Sequence, residues 1–251
     1  MKKYSLLAIV VLLFGGCAIF RPPLEKQLEP LQMTYVEGGT YMMGDVIYEE
    51  NDDSLPLHEV TLPDFEIATY ETTYRQYDAF ARATERPLPR DDNRGRGERA
   101  VIYVTWDEAL AFCKAYGYRL PTEQEWEYAA RSRGKKHEFS GTSSRDSLDY
   151  YARYLDNSVP FAFNVGTKEP NDLGLYDMSG NVAEYIGEYY PFFKTNPDSI
   201  EYYPLEERGM RVIRGGSFNS SYNTLSTYWR VGVLGELRDH TIGFRCARSL
   251  D

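Results

Sequence analysis

The sequence lacks an excess of basic residues and lacks an apolar run near its N-terminus that is long enough to span a membrane. Its 28 lysines and arginines are outnumbered by 38 aspartates and glutamates, so the formal net charge is -10. An acidic surface without a basic patch repels nucleic acid and anionic membranes. The apolar run Leu6–Phe14 is too short for a comfortable transmembrane helix. The composition therefore excludes nucleic acid as a partner.

The N-terminal segment is typical of a secretory signal peptide over residues 1–16. Two lysines precede the apolar run and small residues follow it. The next residue, Cys17, resembles the lipid-modified cysteine of the bacterial lipoprotein lipobox, in which the signal is cut before a diacylated cysteine. Removing the signal also removes Lys2 and Lys3, which makes the chain two charges more negative. A plain secreted protein with a chance cysteine is the alternative.

Residues 17–31 contain three prolines and no regular period, which predicts a lipidated N-terminus followed by a tether. Residues 32–251 then form one domain, because no repeat or second linker interrupts them. Ala18 is not the aspartate that retains many lipoproteins at the inner membrane. We therefore expect a lipid anchor in the bacterial outer membrane, and the domain faces either the periplasm or the cell surface.

Two further cysteines, Cys113 and Cys246, lie in a chain directed to an oxidising compartment. A disulfide between them would close a loop of 133 residues. A reactive thiol pair is the alternative.

Local patterns place helices and strands along the domain. Three capping-box pairs, Thr73 with Gln76, Thr105 with Glu108 and Thr122 with Glu125, predict three helix starts. Alternation predicts a strand, a turn and a second strand over Met33–Asp45, and further strands at 58–62 and 65–67. RVIRGGSF and TIGFRCARS are typical of strands, so Ser217–His240 between them is predicted to be a large excursion from a sheet.

Four ordered segments, RLPTEQEWEYAAR, NDLGLYDMSGNVAEY, RVIRGGSF and GFRCARS, resemble the sulfatase-modifying-factor family, whose founding member is the formylglycine-generating enzyme. The resemblance covers about Met33–Ser249. It implies an α+β, C-type-lectin-like fold with short helices around small antiparallel sheets and much irregular structure. It also implies that Cys113 pairs with Cys246.

The enzyme of this family oxidises a substrate cysteine with copper held by two cysteines that follow the GGS motif. The matching positions here are Ser220 and Leu225. Because Cu(I) selects soft sulfur ligands, this chemistry is predicted to be lost, and no catalytic residue or catalytic cofactor is expected. Iron branches of the family use two histidines and a carboxylate, but His58, His137 and His240 lie far apart in the sequence and fit ordinary surface or loop histidines better.

A structural calcium site is the second feature implied by the resemblance. The family holds calcium with an asparagine side chain and successive backbone carbonyls, and the matching residues here are Asn171, Gly174, Tyr176 and Met178. A hydrogen-bonded turn without metal is an equally good interpretation of these residues.

The stretch Phe218–His240 also resembles the variable region of surface proteins diversified by retroelements, which use the same lectin-like fold. Its mixture of Tyr, Trp, Ser, Gly and Asn is typical of antibody paratopes. A merely well-packed aromatic loop is the alternative. The predicted ligand-binding residues are Phe218, Ser220, Tyr222, Tyr228, Trp229, Val231, Val233, Leu234, Glu236, Asp239 and His240.

The sequence thus predicts a lipid-anchored, catalytically silent member of this family that binds a ligand, most simply a protein or another macromolecule at the cell surface, through a C-terminal surface. Two rival interpretations stay open. One is a structural envelope lipoprotein of a secretion or motility complex. The other is an enzyme with a different metal-dependent chemistry.

Overall fold

The computed structural model describes residues 22–196, 199–204 and 209–250. The predicted signal peptide, Cys17 and the start of the predicted tether lie outside the described residues, so the expectations about them stay predictions. Within the described ranges, no helix combines the length and the apolar character needed to cross a membrane.

The three longest helices begin at the three predicted capping boxes. In each, the threonine hydroxyl accepts a hydrogen bond from the backbone N–H three residues later, and the Gln or Glu side chain there accepts one from the threonine N–H. These reciprocal bonds satisfy donors that a helix start otherwise leaves unpaired. The helices are α1 Tyr74–Ala83, α2 Trp106–Ala115, α3 Glu123–Ala130 and the short α4 Leu148–Tyr151.

The strands form small sheets, and irregular segments connect them. The strands are β1 Met33–Val36, β2 Gly39–Met43, β3 His58–Leu62, β4 Phe65–Ala68, β5 Ala183–Tyr189, β6 Pro191–Asn196, β7 Ser199–Pro204, β8 Met210–Arg214, β9 Arg230–Leu234, β10 Ile242–Gly243 and β11 Ala247–Ser249. One sheet has the order β1-β4-β11 and another the order β10-β5-β8-β9, while β2 pairs with β3 and β6 with β7. Among the strand pairs of the described residues, β10–β5 is parallel and the others are antiparallel. The predicted α+β class is confirmed.

The first two predicted strands do not pair with each other. Both exist, but β1 pairs with β4 and β2 pairs with β3. Alternation of apolar and polar residues determines that a segment is extended and which face it buries, but it does not identify the partner strand. The chain therefore crosses from one sheet to another at Gly38.

The main core surrounds the disulfide. Cys113 on α2 and Cys246 before β11 are bonded and fully buried, which confirms the predicted pairing. Phe112 packs beside them, with its ring 5.7 Å from that of Tyr77 and 5.2 Å from that of Phe244. The bond thus joins the second helix to the C-terminal strand through the centre of the domain.

Part of the segment predicted as a tether lies against the domain. Leu28 and Leu31 pack on the main core. The Tyr116 hydroxyl donates to the Glu29 carbonyl at 2.7 Å, and the Gln76 amide donates to the Pro30 carbonyl at 3.2 Å. Residues 28–31 are therefore docked on α1 and α2 rather than extending freely from the domain.

Candidate functional site

Two glycines turn the chain out of β8 and into the stretch that the sequence singles out. Gly215 and Gly216 have φ values of 87° and 67°, a left-handed conformation that side chains disfavour. A Cβ on Gly216 would also lie 2.7 Å from the Thr224 carbonyl oxygen. The RGGS motif therefore forms a tight turn, and this turn sets the direction of the stretch that begins at Ser217.

The residues at the two copper positions of the family form ordinary protein contacts. Leu225 is fully buried and packs in an apolar cluster with Phe139, Leu148 and Tyr154. The Ser220 hydroxyl accepts a hydrogen bond from the Ser217 N–H at 2.9 Å. One position is thus filled by hydrocarbon and the other by a hydroxyl engaged in a turn.

The beginning and middle of the predicted ligand-binding set are largely covered. Phe218 is 1% exposed and belongs to the main core, so its assignment as a surface contact is wrong. Tyr228 is also buried, while Ser220, Tyr222 and Trp229 are half-buried. The Tyr222 ring packs beside the apolar cluster and is covered by the Arg145 guanidinium at 3.6 Å. Aromatic residues of this part of the stretch therefore contribute to packing of the domain.

The later part of the stretch is not the loop that the sequence predicts, because it contains β9. This strand pairs with β8 from Met210↔Leu234 to Arg214↔Arg230 and forms the outer edge of the four-stranded sheet. A continuous excursion from Ser217 to His240 is therefore corrected to a partly buried irregular segment with a short 3-10 turn at Tyr222–Thr224, an edge strand and a second turn.

Exposed side chains cluster on β9 and on the turn after it. Val231, Leu234 and Leu237 are 38%, 48% and 39% exposed. Glu236 and His240 are exposed as well, whereas Val233 and Asp239 are half-buried. We call the exposed side chains of Val231, Leu234, Glu236, Leu237 and His240 the β9 surface.

Local hydrogen bonds hold the turn of the β9 surface in place. The Asp239 carboxylate accepts from the N–H of Thr241 at 2.7 Å, and the Asp239 carbonyl accepts from the N–H of Tyr103 at 3.0 Å. Arg238 forms a two-pronged ion pair with Glu108 on α2, at 2.6 and 2.7 Å. The apolar side chains are therefore displayed on a fixed backbone.

A cavity of about 510 Å³ lies on the other side of the β9 start. A loop containing a short 3-10 turn, Asp52–Ser54, closes over it, and the Ser54 hydroxyl donates to the Tyr228 carbonyl at 2.7 Å. The volume suits a small molecule or one large side chain. Its apolar and aromatic lining comes from Met43, Leu55, Pro56, Tyr189 and Tyr228, and its polar lining from Asp53, Ser54, His58, Glu123, Gln124, Glu127, Glu188, Arg214 and Arg230.

A buried charge network forms one wall of this cavity. Arg230 donates to both carboxylate oxygens of Glu123 at 2.7 Å. Arg214 donates to Glu123 at 2.7 Å and to Glu127 at 2.8 Å, and Arg131 donates to Glu127 at 2.9 Å. Burial alone would raise the pKa of Glu123, but Arg230 and Arg214 hold it below its ordinary value. The arginines therefore keep Glu123 ionised, while the Nε of Arg214 is buried without a hydrogen-bond partner among the described atoms.

Glu188 differs from these carboxylates. It lines the cavity, and one of its oxygens accepts the N–H of Glu123 at the start of α3, at 2.9 Å. Among the described residues, no lysine or arginine pairs with it. Burial, and then the charges of Glu123 and Glu125, raise the pKa of Glu188 to about 7.

The predicted calcium residues form a hydrogen-bonded turn. The Asn171 side-chain oxygen accepts from the N–H groups of Leu173 and Leu175 at 3.0 and 3.2 Å, and its amide donates to the Ala129 carbonyl at 2.9 Å. The Arg245 guanidinium donates to the Tyr176 carbonyl at 2.8 Å, which disfavours a cation on that oxygen. Gly174 and Met178 lie in the same segment, with Met178 buried. These contacts match the metal-free alternative, and calcium stays a prediction.

Carboxylates next to this turn share one buried arginine. Arg245 pairs with Glu184 at 2.7 Å, and both are fully buried. Burial raises the pKa of Asp177 to about 6 and raises that of Glu71 well above its ordinary value. The Asn181 amide donates to Glu71 at 2.5 Å. The cluster ties the NDLGLYDMSGN segment to the start of β5.

In the residues that the structure describes, no group of three or more His, Cys, Asp or Glu side chains is arranged to hold a metal ion. His58 lines the cavity, and His240 lies on the β9 surface with its ring 6.4 Å from that of Tyr103. Sequence reasoning did not identify Glu188 or the cavity. Glu188 has no motif around it, and only the pairing of distant segments brings it beside α3.

A family model described as "Sulfatase-modifying factor enzyme 1-like domain" matches residues 21–250. A formylglycine-generating enzyme of Streptomyces coelicolor is 27% identical, over 85% of this chain and 88% of that protein. An inactive C-alpha-formylglycine-generating enzyme 2 of Bos taurus is 25% identical, over 87% of this chain and 88% of that protein. Enzymes and a protein named as inactive therefore both occur among the relatives.

The match to a serine/threonine-protein kinase pkn1 of Chlamydia pneumoniae, at 27% identity, covers 90% of this chain and 40% of the kinase. The chain thus spans less than half the length of that relative. Among solved structures, Treponema denticola variable protein 1 superposes with a TM-score of 0.70 at 25% identity, over 87% of this chain and 95% of that one.

Proposed function

The chain belongs to the sulfatase-modifying factor enzyme 1-like family, and from this premise we propose that it is a non-catalytic member that binds a protein ligand through the β9 surface. Its fold is the C-type-lectin-like fold of the formylglycine-generating enzymes that the four sequence motifs predict. Family membership by itself is compatible with catalysis, because the relatives include enzymes. The choice between a catalytic and a non-catalytic member therefore depends on the residues at the two copper positions.

The observation that carries the non-catalytic proposal is the fully buried Leu225 at one of the two copper positions. A leucine side chain offers no metal ligand, and of the three cysteines Cys113 and Cys246 form the disulfide while Cys17 is the predicted lipidation site. Cu(I) requires soft ligands such as thiolates. The serine at the other position forms a turn hydrogen bond instead.

We expect the purified protein to retain almost no copper. After incubation with Cu(I) and desalting, elemental analysis should find less than about 0.1 copper per chain, because no thiolate pair is present. A formylglycine-generating enzyme treated in the same way is the positive control. Stoichiometric copper together with oxidation of a cysteine-containing peptide would instead favour the rival enzyme interpretation.

The ligand-binding part of the proposal is supported by the β9 surface itself. Three exposed aliphatic side chains lie on a rigid edge strand and its following turn, flanked by Glu236 and His240. Apolar side chains surrounded by polar ones are typical of protein-binding sites. The fold shared with a protein named as variable, Treponema denticola variable protein 1, is consistent with display of changeable side chains on this scaffold.

The proposed location is the outer membrane, with attachment through lipid on Cys17. This rests on the lipobox-like sequence, and a diacylated, N-acylated cysteine carries enough chains for stable anchoring. An anchored domain whose β9 surface faces outward would meet ligands at the cell surface.

Site-specific photocrosslinking in living cells tests the surface. With p-benzoylphenylalanine at Leu234, we expect a discrete crosslinked protein, because this side chain is the most exposed aliphatic of the β9 surface. Leu237→Asp should reduce the yield about fivefold or more, since Leu237 is exposed on the turn whose N–H donates to the Leu234 carbonyl and the change places a charge beside the apolar contact. The control is the same probe at Tyr35, which is exposed on β1 in another sheet. Identical products at both positions, or none at Leu234, would contradict the proposal.

A further inference from the structure

The cavity beside Glu188 lies apart from both the β9 surface and the positions that match the family's copper ligands. Its walls come from β2, the loop at 53–56, the start of α3 and the ends of β5, β8 and β9. One side is apolar and aromatic, formed by Leu55, Pro56 and Tyr228 among others. At about 510 Å³, it falls within the range that small ligands occupy in proteins.

The guanidinium groups of this cavity are already engaged. Arg230 makes a two-pronged contact with Glu123, and Arg214 bridges Glu123 and Glu127. Both arginines are oriented toward carboxylates of α3. An anionic ligand would have to compete with these buried ion pairs, which are costly to break.

Glu188 is a lining carboxyl group that forms no ion pair within 4 Å in the described part of the chain, although the charge of Arg119 acts on it. One of its oxygens accepts the N–H of Glu123 at 2.9 Å, so its hydrogen bonds come from backbone N–H groups rather than from a cation. Burial is the main reason that the pKa of Glu188 is raised to about 7, and the negative charges of Glu123 and Glu125 raise it further. A cation beside Glu188 would relieve both effects.

We propose that this cavity binds a primary ammonium group carried on an apolar stem, with Glu188 as the partner of the ammonium and the Leu55–Tyr228 side as the partner of the stem. An ammonium has three N–H donors and no acceptor, which suits a carboxylate with a free oxygen. Tyrosine rings at Tyr189 and Tyr228 add the aromatic surface that often accompanies ammonium groups. The same chemistry is offered by a free amine and by a lysine side chain of a protein.

The probes are three molecules that share a phenylethyl group and differ in its polar substituent, titrated by NMR into the full-length chain at pH 8: 2-phenylethylamine, 2-phenylethanol and 3-phenylpropionate. At this pH the Glu188 carboxyl is ionised and the amine is still charged. We expect the amine to bind at least about tenfold more tightly than the neutral and anionic probes, because only the amine forms a charge-assisted bond. Glu188→Gln should remove this preference and leave binding of the alcohol unchanged.

Two control variants test whether the amine binds in this cavity and whether any lost carboxylate would weaken its binding. Glu169→Gln removes an exposed carboxylate on another face and should leave amine binding unchanged. Gln124→Trp, at a half-buried lining position, should block all three probes by filling the cavity while the melting temperature stays near that of wild type. If Glu188→Gln fails to fold, the Gln124→Trp comparison still reports on the cavity.

A capped tripeptide, acetyl-Phe-Lys-Phe-amide, distinguishes the two sources of the ammonium. Binding of the peptide through its lysine supports a protein ligand, and binding of 2-phenylethylamine alone supports a small amine. Equal affinities for the amine and the alcohol, or an amine affinity unaffected by Glu188→Gln in a folded variant, overturn the proposal.

Discussion

Replacing Cys113 and Cys246 together with alanine should lower the free energy of unfolding by about 4–5 kcal/mol. The bond closes a loop of 133 residues, so it removes much of the conformational freedom of the unfolded chain. It also joins α2 to the segment before β11 through the main core, where both cysteines are fully buried. Since a domain of this kind has about 5–15 kcal/mol of stability in total, the loss should be large.

Urea unfolding of wild type with and without dithiothreitol gives the control for this prediction. Reduced wild type should unfold at a urea concentration close to that of the double-alanine variant, and the variant should be insensitive to the reductant. Equal stability of oxidised wild type and variant would mean that the bridge contributes little and that packing around Phe112 carries this part of the fold.

Arg214→Met should cost about 3–5 kcal/mol, because it leaves two buried carboxylates with fewer cations than they need. Arg214 is 1% exposed and contacts both Glu123 and Glu127, which are themselves buried. Methionine fills much of the same space, so the effect reports charge more than volume. Arg230 and Arg131 still hold one carboxylate each, so the loss should stay below complete unfolding.

The matched control is Arg75→Met. Arg75 pairs with Glu98 at 2.6 Å, but both side chains are about half exposed, so the expected cost is below about 1 kcal/mol. Denaturant unfolding of the two variants measures the contrast directly. Similar costs for both would show that the buried network is no more important to stability than a surface ion pair.

Local sequence determined the parts of this fold that depend on neighbouring residues. The three capping boxes each needed only a threonine and a Gln or Glu three residues later, and all three helices begin there. The RGGS turn needed two residues that tolerate positive φ, and Gly215 and Gly216 supply them. The ordered motifs also indicated the family and the pairing of Cys113 with Cys246.

Local sequence patterns do not predict which strands pair with each other. Met33–Val36 and Gly39–Met43 are adjacent in sequence and extended, yet they join different sheets. The same limit hid β9, because VGVL at 231–234 is a short run within a stretch rich in turn residues. Pairing with β8 makes Arg230–Leu234 a strand, and that pairing depends on contacts made by the whole domain.

The sequence by itself determined the composition of the C-terminal stretch and the absence of cysteine at positions 220 and 225, and these suffice to predict lost copper chemistry. Only the tertiary structure decided which of its side chains are available. Phe218 and Leu234 are both large and apolar, but one lies in the core and the other is exposed on an edge strand. Burial depends on what other segments pack over a residue. The cavity likewise depends on segments that are distant in the sequence, because it forms where β5 places Glu188 beside the start of α3.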